Sequence, residues 1–233
     1  MEFRGYRVQV ESVTVAGRTY EMLMPDNCEA LLDDPRVVTR FEHDEYMPYW
    51  AILWPGALVL ADAVAQWPSL ADAAPLEVLE LGCGLGLVGL VASGLGFRVT
   101  ISDYDEDAVA FAQVNAARNG LPEPVVRVID WRLAYDDLRC DRILAADVLY
   151  EARHLEPVSR FIQVHLRPGG LALLSDANRS TADIFPAVAR AHGLSVATTP
   201  VERPGGGAAP VVRARIFTVR AERPAAPRGR AVV

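Results

Sequence analysis

One segment limits the possible folds more than any other: a short apolar run, 77–81, leads through three glycines directly into a second apolar run. The glycines, Gly82, Gly84 and Gly86, stand two residues apart. Glycine adopts positive φ without strain and lets a ligand approach the backbone, and the N-terminus of a following helix favours polar ligand groups. The segment therefore predicts a strand, a ligand-binding loop and a helix, in that order.

Short apolar runs alternate with helical patterns along the rest of the chain. The predicted elements are helix 87–93, strand 98–102, helix 106–119, strand 125–129, strand 142–146, a helix near 155–166, strand 171–175 and helix 181–192. Such alternation requires crossover connections and a mostly parallel sheet that is covered on both faces. Two further β-rich segments, 195–199 and 211–219, are joined by Pro204-Gly205-Gly206-Gly207, which is too short for a crossover helix. The predicted fold class is α/β: a Rossmann-like, doubly wound, mostly parallel seven-stranded sheet with an antiparallel C-terminal hairpin.

The two ends of the chain differ from this pattern. Segments 6–13 and 19–24 alternate like strands around Ala16-Gly17, which predicts a short N-terminal β-hairpin, and 28–41 predicts a helix before an irregular acidic stretch. A further helix is expected over 57–66, after Pro55-Gly56. Residues 221–233, rich in Pro, Ala and Arg, have no periodicity. We predict an N-terminal extension over 1–47, a ligand-binding domain over 48–220 and a disordered tail over 221–233.

Composition argues against several classes of protein. The net charge is -7, and the 23 basic residues, all of them Arg, form no dense cluster, which disfavours a nucleic-acid partner. The longest uncharged run, 81–97, is shorter than the roughly 20 apolar residues of a membrane span. The first residues lack the features of a signal peptide, so we expect a cytoplasmic protein. Three scattered cysteines and four histidines without ligand spacing predict reduced thiols and no metal site.

The glycine spacing discriminates between classes of nucleotide ligand. A dinucleotide fingerprint needs Gly or Ala where this chain has Leu87, and a phosphate-binding P-loop needs a lysine, which the chain lacks. The run also ends in Glu80-Leu81 before the first glycine, and an acidic residue there suits a ligand with an ammonium group. These differences favour a nucleoside ligand without a pyrophosphate.

Acidic residues follow the next two strands. Asp103, in Ser102-Asp103-Tyr104, stands about twenty residues after the loop, where a carboxylate accepts hydrogen bonds from both ribose hydroxyls. At the tip of the third strand, Asp130 is predicted to accept from an adenine amine and Trp131 to cover the ring, although a purely structural Trp131 is also compatible with the pattern. The acidic run 105–107 is interpreted as N-terminal helix charge.

With these elements in this order, the chain resembles the class I, seven-β-strand methyltransferases from Glu77 through the C-terminal hairpin. Two stretches are similar to one subgroup, the protein lysine methyltransferases that include the electron-transfer-flavoprotein β-subunit enzymes. They are the block 48–56, Pro-Tyr-Trp-Ala-Ile-Leu-Trp-Pro-Gly, and Asp147-Val148-Leu149-Tyr150, which matches an Asp/Glu-x-x-Tyr/Phe element. The chain departs from the subgroup at 176–179, where Asp-Ala-Asn-Arg replaces Asp-Pro-Gly-Arg.

The resemblance implies S-adenosyl-L-methionine as cofactor. It implies catalytic roles for Asp147, which would bind and orient a lysine ammonium, and for Tyr150, which would form an aromatic wall with Tyr49 or Trp50 as another. The residues expected to bind the cofactor are Trp54, Glu80, Gly82, Cys83, Gly84, Gly86, Asp103, Tyr104, Asp130, Trp131 and Ala146.

Three functions agree with this set of residues. The first is lysine N-methylation of a protein partner, with the β subunit of an electron-transfer flavoprotein as one candidate. The second is N- or O-methylation of a small molecule, and the third is a non-catalytic scaffold that binds S-adenosylmethionine. His43 and His154 lie near the predicted cleft but are interpreted as surface or helix-cap residues.

Overall fold

The computed structural model describes residues 1–69, 76–205 and 211–221. The chain opens with a three-stranded antiparallel sheet of β1 (Glu2–Phe3), β2 (Tyr6–Val15) and β3 (Arg18–Pro25). Ala16 and Gly17 form the turn between β2 and β3 and both have positive φ, 47° and 83°, as a tight two-residue hairpin turn requires. The predicted N-terminal hairpin is confirmed, with one short strand added.

The segment after the hairpin corrects one prediction. A single helix over 28–41 was expected, but a 3-10 turn, Glu29–Asp33, is separated at Asp34 from α1 (Pro35–Asp44). Proline suits the first position of a helix and forces the residue before it into an extended conformation. Asp34 is accordingly extended and caps α1 by accepting the Arg36 N–H at 2.8 Å. A second 3-10 turn, Tyr49–Ala51, and α2 (Pro55–Val64) follow.

The main sheet has seven strands in the order β6-β5-β4-β7-β8-β10-β9, and β4 to β8 are parallel. Its strands are β4 (Glu77–Leu81), β5 (Arg98–Asp103), β6 (Val125–Val128), β7 (Cys140–Ala146), β8 (Leu166–Asp176), β9 (Leu194–Arg203) and β10 (Val212–Ala221). Its helices are α3 (Leu87–Gly94), α4 (Glu106–Arg118), α5 (Ala152–His165) and α6 (Phe185–Ala191), with a 3-10 turn, Ser180–Ile184, before α6. The fold class is as predicted.

The C-terminal hairpin is antiparallel, as predicted, and β9 forms the edge of the sheet. Within its predicted connection, Gly206 and Gly207 lie outside the described residues, as does the predicted tail beyond Ala221. The division into extension, domain and tail therefore stays a prediction. No helix in the described ranges has the length and apolar character that crossing a membrane requires.

Two apolar layers cover the main sheet. One layer joins the N-terminal sheet, α2, α3 and α4, and Phe111 of α4 and Leu90 of α3 are fully buried within it. The other layer lies beneath α5 and α6 around Phe161 and Phe185. Asn115 of α4 holds the N-terminal sheet in place, because its amide bonds the Leu23 N–H at 2.7 Å and the Leu23 carbonyl at 3.2 Å. This packing brings the N-terminal segment to the carboxyl ends of the parallel strands.

Candidate active site

A cavity of about 540 Å³ opens at the carboxyl ends of β4, β5 and β7. One wall is the segment between α1 and α2, from Glu45 to Trp54, and the opposite wall is formed by the strand ends and the start of α5. In a doubly wound sheet, ligands bind at this edge of the strands, and cavities of this size accept small molecules. Nine of the eleven predicted cofactor residues and both predicted catalytic residues line it; the two that do not are Glu80 and Gly86.

The glycine loop approaches the cavity through Gly82, Cys83 and Gly84. Gly82 and Gly84 have positive φ, 69° and 50°, so the backbone itself forms this part of the surface. Gly86 serves a different purpose: with φ of 86° it begins α3, and a Cβ there would lie 2.7 Å from the Cβ of Ala112 in α4. Gly86 therefore allows α3 and α4 to pack closely and does not face the cavity.

Glu80 also lies behind the loop. Its carboxylate is buried and accepts the Gly89 N–H at 2.9 Å, inside the first turns of α3. Burial raises the pKa of Glu80 to about 8; the Gly89 bond only partly offsets this, and the nearby charge of Asp103 adds to it. The structure thus bonds Glu80 to the helix backbone, where the sequence suggested a contact with a cofactor ammonium group.

Asp103 occupies the tip of β5 and faces the cavity. One of its oxygens accepts the Gly84 N–H at 2.8 Å and the other accepts the Asp105 N–H at 3.0 Å. The Tyr104 N–H bonds the same carboxylate, and because a carboxylate offers about four lone-pair sites, capacity for a further donor remains. Burial raises the pKa of Asp103 to about 6, against the effect of these backbone bonds. The neighbouring Tyr104 also lines the cavity.

The tip of the third strand is arranged differently from the prediction. Asp130 lines the cavity, but its carboxylate pairs with Arg132 through two bonds of 2.8 and 2.7 Å. Burial acts to raise the pKa of Asp130, yet the bonds from Arg132 outweigh it and lower the pKa. Trp131 lies against the glycine loop, since a Cβ on Gly82 would be 3.3 Å from its ring. The wall at this point is therefore an indole beside an ion pair.

Five aromatic side chains form a continuous band along the cavity, which we call the aromatic arc: Trp131, His154, Tyr150, Tyr49 and Trp54. Successive ring centroids are separated by 5.3, 4.7, 5.2 and 5.8 Å, and every pair meets edge to face. The Trp54 indole N–H donates to the Tyr49 carbonyl at 2.7 Å and so fixes one end of the arc.

The aromatic arc bears on the choice between Tyr49 and Trp50 and on the position of His154. Of the two candidates for a second aromatic wall, Tyr49 contacts Tyr150, whereas the buried ring of Trp50 packs against Phe111 and Tyr6. His154 belongs to the arc, although the sequence suggested a surface or cap role. Its position four residues after Tyr150, at the start of a helix, is the signal that would have placed it there. Burial lowers the pKa of His154, which keeps the ring neutral at neutral pH.

Asp147 lies under the arc with its carboxylate already bonded. It accepts the Gly56 N–H at 2.6 Å, the Ala177 N–H at 3.2 Å and a bond from the Arg179 guanidinium. The residue is 6% exposed and has a φ of 55°. Gly56 is required here, because a Cβ would lie 2.3 Å from a carboxylate oxygen of Asp147. The Asp147 carboxylate thus joins β7 to α2 and to the turn after β8, two contacts that the sequence did not predict.

Arg179 and Ala146 complete this end of the cavity. The Arg179 guanidinium lies 5.7 Å from the Trp54 ring centroid, and Ala146 ends β7 beside the glycine loop. Across the described ranges, no group of three or more His, Cys, Asp or Glu side chains is arranged to hold a metal ion.

A family model described as lysine methyltransferase matches residues 39–184. This range is more than half of the chain and spans the cavity from Glu45 to Arg179. The chain belongs to the lysine methyltransferase family. Membership confirms the predicted class, S-adenosylmethionine-dependent methyltransferase, and the predicted cofactor, S-adenosyl-L-methionine.

Two kinds of curated protein are similar to this chain, each over about half of its length. A protein-lysine methyltransferase, METTL21E of Bos taurus, is 36% identical over 118 residues, which cover 46% of this chain and 40% of the relative. A ubiquinone biosynthesis O-methyltransferase of Rickettsia felis is 31% identical over 113 residues, which cover 47% of this chain and 44% of the relative. The chain therefore spans less than half the length of these curated relatives.

Solved structures share the fold. A ribosomal protein L11 methylase from Lactobacillus delbrueckii subsp. bulgaricus aligns with a TM-score of 0.54 and 21% identity, over 70% of this chain and 78% of the other. The glycopeptide N-methyltransferase MtfA, solved with S-adenosyl-L-methionine, aligns with a TM-score of 0.54 and 16% identity, over 71% and 94% of the two chains. At these identities the likeness concerns the fold alone.

The residues at the cavity fit this cofactor. Asp103 offers a carboxylate that can accept from a ligand hydroxyl group, and the glycine loop lets a ligand approach the backbone. Trp131 supplies an aromatic face next to that loop. The volume of about 540 Å³ lies within the range of small-molecule sites.

Proposed function

We propose that this protein methylates the side-chain nitrogen of lysine in a protein substrate. The aromatic arc carries the proposal, because three of its rings, Tyr49, Trp54 and Tyr150, stand where a long cationic side chain would enter beside the cofactor site. Aromatic faces attract ammonium groups, and their apolar edges pack along an aliphatic stem. The lysine methyltransferase relatives support the same class of acceptor.

When bound, S-adenosyl-L-methionine supplies the methyl group from its sulfonium. The acceptor enters as an ammonium with a normal pKa near about 10.4, so it must release a proton to solvent before the nitrogen–carbon bond forms and the carbon–sulfur bond breaks. A buried, aromatic-lined channel lowers the pKa of such an amine, because burial disfavours its charged form. The protein's part is orientation and exclusion of water.

Tyr150 acts through its ring and its hydroxyl. Burial raises its pKa, with a smaller contribution from the charge of Glu151, so the hydroxyl stays protonated and serves as a hydrogen-bond partner instead of a base. Asp147 acts as a positioning residue in this proposal. Its bonds to Gly56 and Arg179 fix the start of α2, directly after Trp54, and thereby one end of the arc.

The test is methyl transfer from isotopically labelled cofactor to purified electron-transfer flavoprotein β subunit and, in parallel, to a lysate from the protein's own source. Because this chain contains no lysine, labelled methyl-lysine found by mass spectrometry must come from the substrate. Tyr150→Ala is expected to lower transfer by about five- to thirtyfold, with cofactor Kd within about twofold of wild type, since a cation–π contact is worth about 1–2 kcal/mol.

A small-molecule acceptor is the second candidate, favoured by the similarity to ubiquinone biosynthesis O-methyltransferases. Label confined to the small-molecule fraction of the lysate, with no labelled lysine in any protein, would contradict the lysine proposal and support this one. Binding of cofactor without label in either fraction would instead support a non-catalytic scaffold.

A further inference from the structure

A closed ring of contacts joins the segment Glu45–Trp54 to the glycine loop and to the end of β5. The Tyr46 hydroxyl donates to the Asp105 carboxylate, and the Trp50 indole N–H donates to the Tyr46 hydroxyl at 3.1 Å. The Trp50 backbone lies against Gly84, where a Cβ would come within 3.2 Å of the Trp50 carbonyl oxygen. Gly84 and Asp105 then both donate their backbone N–H to Asp103. We call these five residues the latch ring.

Asp105 is the strongest point of the ring. It is 5% exposed and accepts three donors: the Tyr46 hydroxyl, the Arg40 guanidinium at 2.7 Å and the Asp107 N–H at 2.8 Å. The bond from the Asp107 N–H caps α4, which agrees with the interpretation of 105–107 as N-terminal helix charge. The bonds from Arg40 and Tyr46 hold α1 and the segment that follows it. Bonds to an ionised carboxylate are about twice as strong as neutral ones.

The latch ring borders the expected cofactor site. All five of its members line the cavity, and Asp103 is the residue whose carboxylate fits the ribose hydroxyls. A ligand on Asp103 and the glycine loop would therefore also contact the wall formed by Glu45 to Trp54.

We propose that Tyr46 and Asp105 form a latch that holds the segment Glu45–Trp54 closed over the bound cofactor and sets the rate at which the cofactor dissociates. Both are positioning residues: Tyr46 acts through Trp50 on the glycine loop, and Asp105 acts through its backbone N–H on Asp103. The latch depends on the cofactor alone and not on the identity of the methyl acceptor.

The test is Tyr46→Phe, which removes the hydroxyl and keeps the ring. Dissociation of S-adenosyl-L-methionine, followed by stopped-flow tryptophan fluorescence, is expected to become about tenfold faster, the factor that one hydrogen bond to a charged group supports. In the cofactor complex, amide hydrogen exchange over 45–54 is expected to speed up in the variant. Asp105→Ala should act in the same direction, and the double variant should be no worse than the stronger single variant, because each single variant already removes the Tyr46–Asp105 contact.

Tyr6→Phe is the matched control. The Tyr6 hydroxyl also donates to an aspartate of α4, Asp107, and Tyr6 also belongs to the N-terminal extension, but neither residue lines the cavity. The control is expected to leave dissociation within about twofold of wild type. Equal dissociation rates in Tyr46→Phe and Tyr6→Phe, whether unchanged or both faster, would overturn the latch. Since no methyl acceptor is present, this result is independent of whether lysine is methylated.

Discussion

The pH dependence of folding offers a direct test of how Glu80 is used. Its folded pKa of about 8 lies well above the value of 4.5 expected in the unfolded chain, because the carboxyl group is buried behind the glycine loop. Between these two values the folded protein retains a proton that the unfolded chain releases. The stability contributed by this group is therefore fully present below pH 4.5 and is lost as the pH rises through about 8.

The magnitude follows from the two pKa values. Each pH unit in this window removes about 1.4 kcal/mol from the free energy of unfolding, so the full loss is about 5 kcal/mol. Glu80→Gln has no proton to lose. Its amide oxygen still accepts the Gly89 N–H, whereas its buried amide hydrogens add a cost that does not change with pH. The stability of Glu80→Gln relative to wild type is therefore expected to rise by about 1.4 kcal/mol per pH unit from pH 5 to 8 and to level off above.

The measurement is urea unfolding at intervals from pH 5 to 9, with the difference between variant and wild type plotted against pH. Glu77→Gln is the matched control, since Glu77 lies on the same strand but pairs with Arg98 at the surface, and it measures what a Glu-to-Gln change on this strand does without burial behind the glycine loop. A plot for Glu80→Gln that does not change with pH would refute the reasoning, because it would show that Glu80 ionises in the folded protein as it does in the unfolded chain. The cofactor affinity of the same variant tests the contact that the sequence suggested.

Three further outcomes are expected. Cofactor affinity should fall about tenfold per pH unit below about pH 6, because the ionised form of Asp103 accepts the hydroxyl groups and its pKa is about 6; Asp103→Asn should remove this dependence in calorimetric titrations. Gly86→Ala should lower the free energy of unfolding by about 2 kcal/mol more than Gly120→Ala, since both positions have positive φ but only the first would contact α4. Arg179→Met should lower the free energy of unfolding by about 3 kcal/mol, because it leaves the buried carboxylate of Asp147 without its arginine. Arg213→Met, which breaks an exposed ion pair, should lower it by less than about 1 kcal/mol.

Features with a local cause were predictable from the sequence. The glycine spacing, the alternation of strands and helices and the Ala16-Gly17 turn each depend on a few neighbouring residues, and the structure has all three. The break at Asp34 was equally local, because Pro35 disfavours helix at the preceding residue, and the prediction of a single helix over 28–41 missed it.

Features that depend on distant residues were not predictable. Asp105 could be assigned to a helix start from its position. Its bonds to Arg40 and Tyr46 span 65 and 59 positions and form only because folding brings α1 and the segment that follows it to the start of α4. The contact between Asp147 and Gly56 spans 91 positions. A strand-end carboxylate can therefore be located from the sequence, whereas its partners follow from tertiary packing.

Four acidic residues stand at or near the carboxyl ends of adjacent strands, and their partners decide which one serves a ligand. Asp130 and Asp147 are paired with Arg132 and Arg179, and Glu80 keeps its proton at neutral pH. Within the part of the chain that the structure describes, no arginine or histidine pairs with Asp103, whose carboxylate accepts only backbone N–H groups, among them those of Gly84 and Asp105. An ionised carboxylate with unused acceptor sites gains most from neutral hydroxyl donors. Of the four, Asp103 is therefore the one that we propose to bind the ribose of the cofactor.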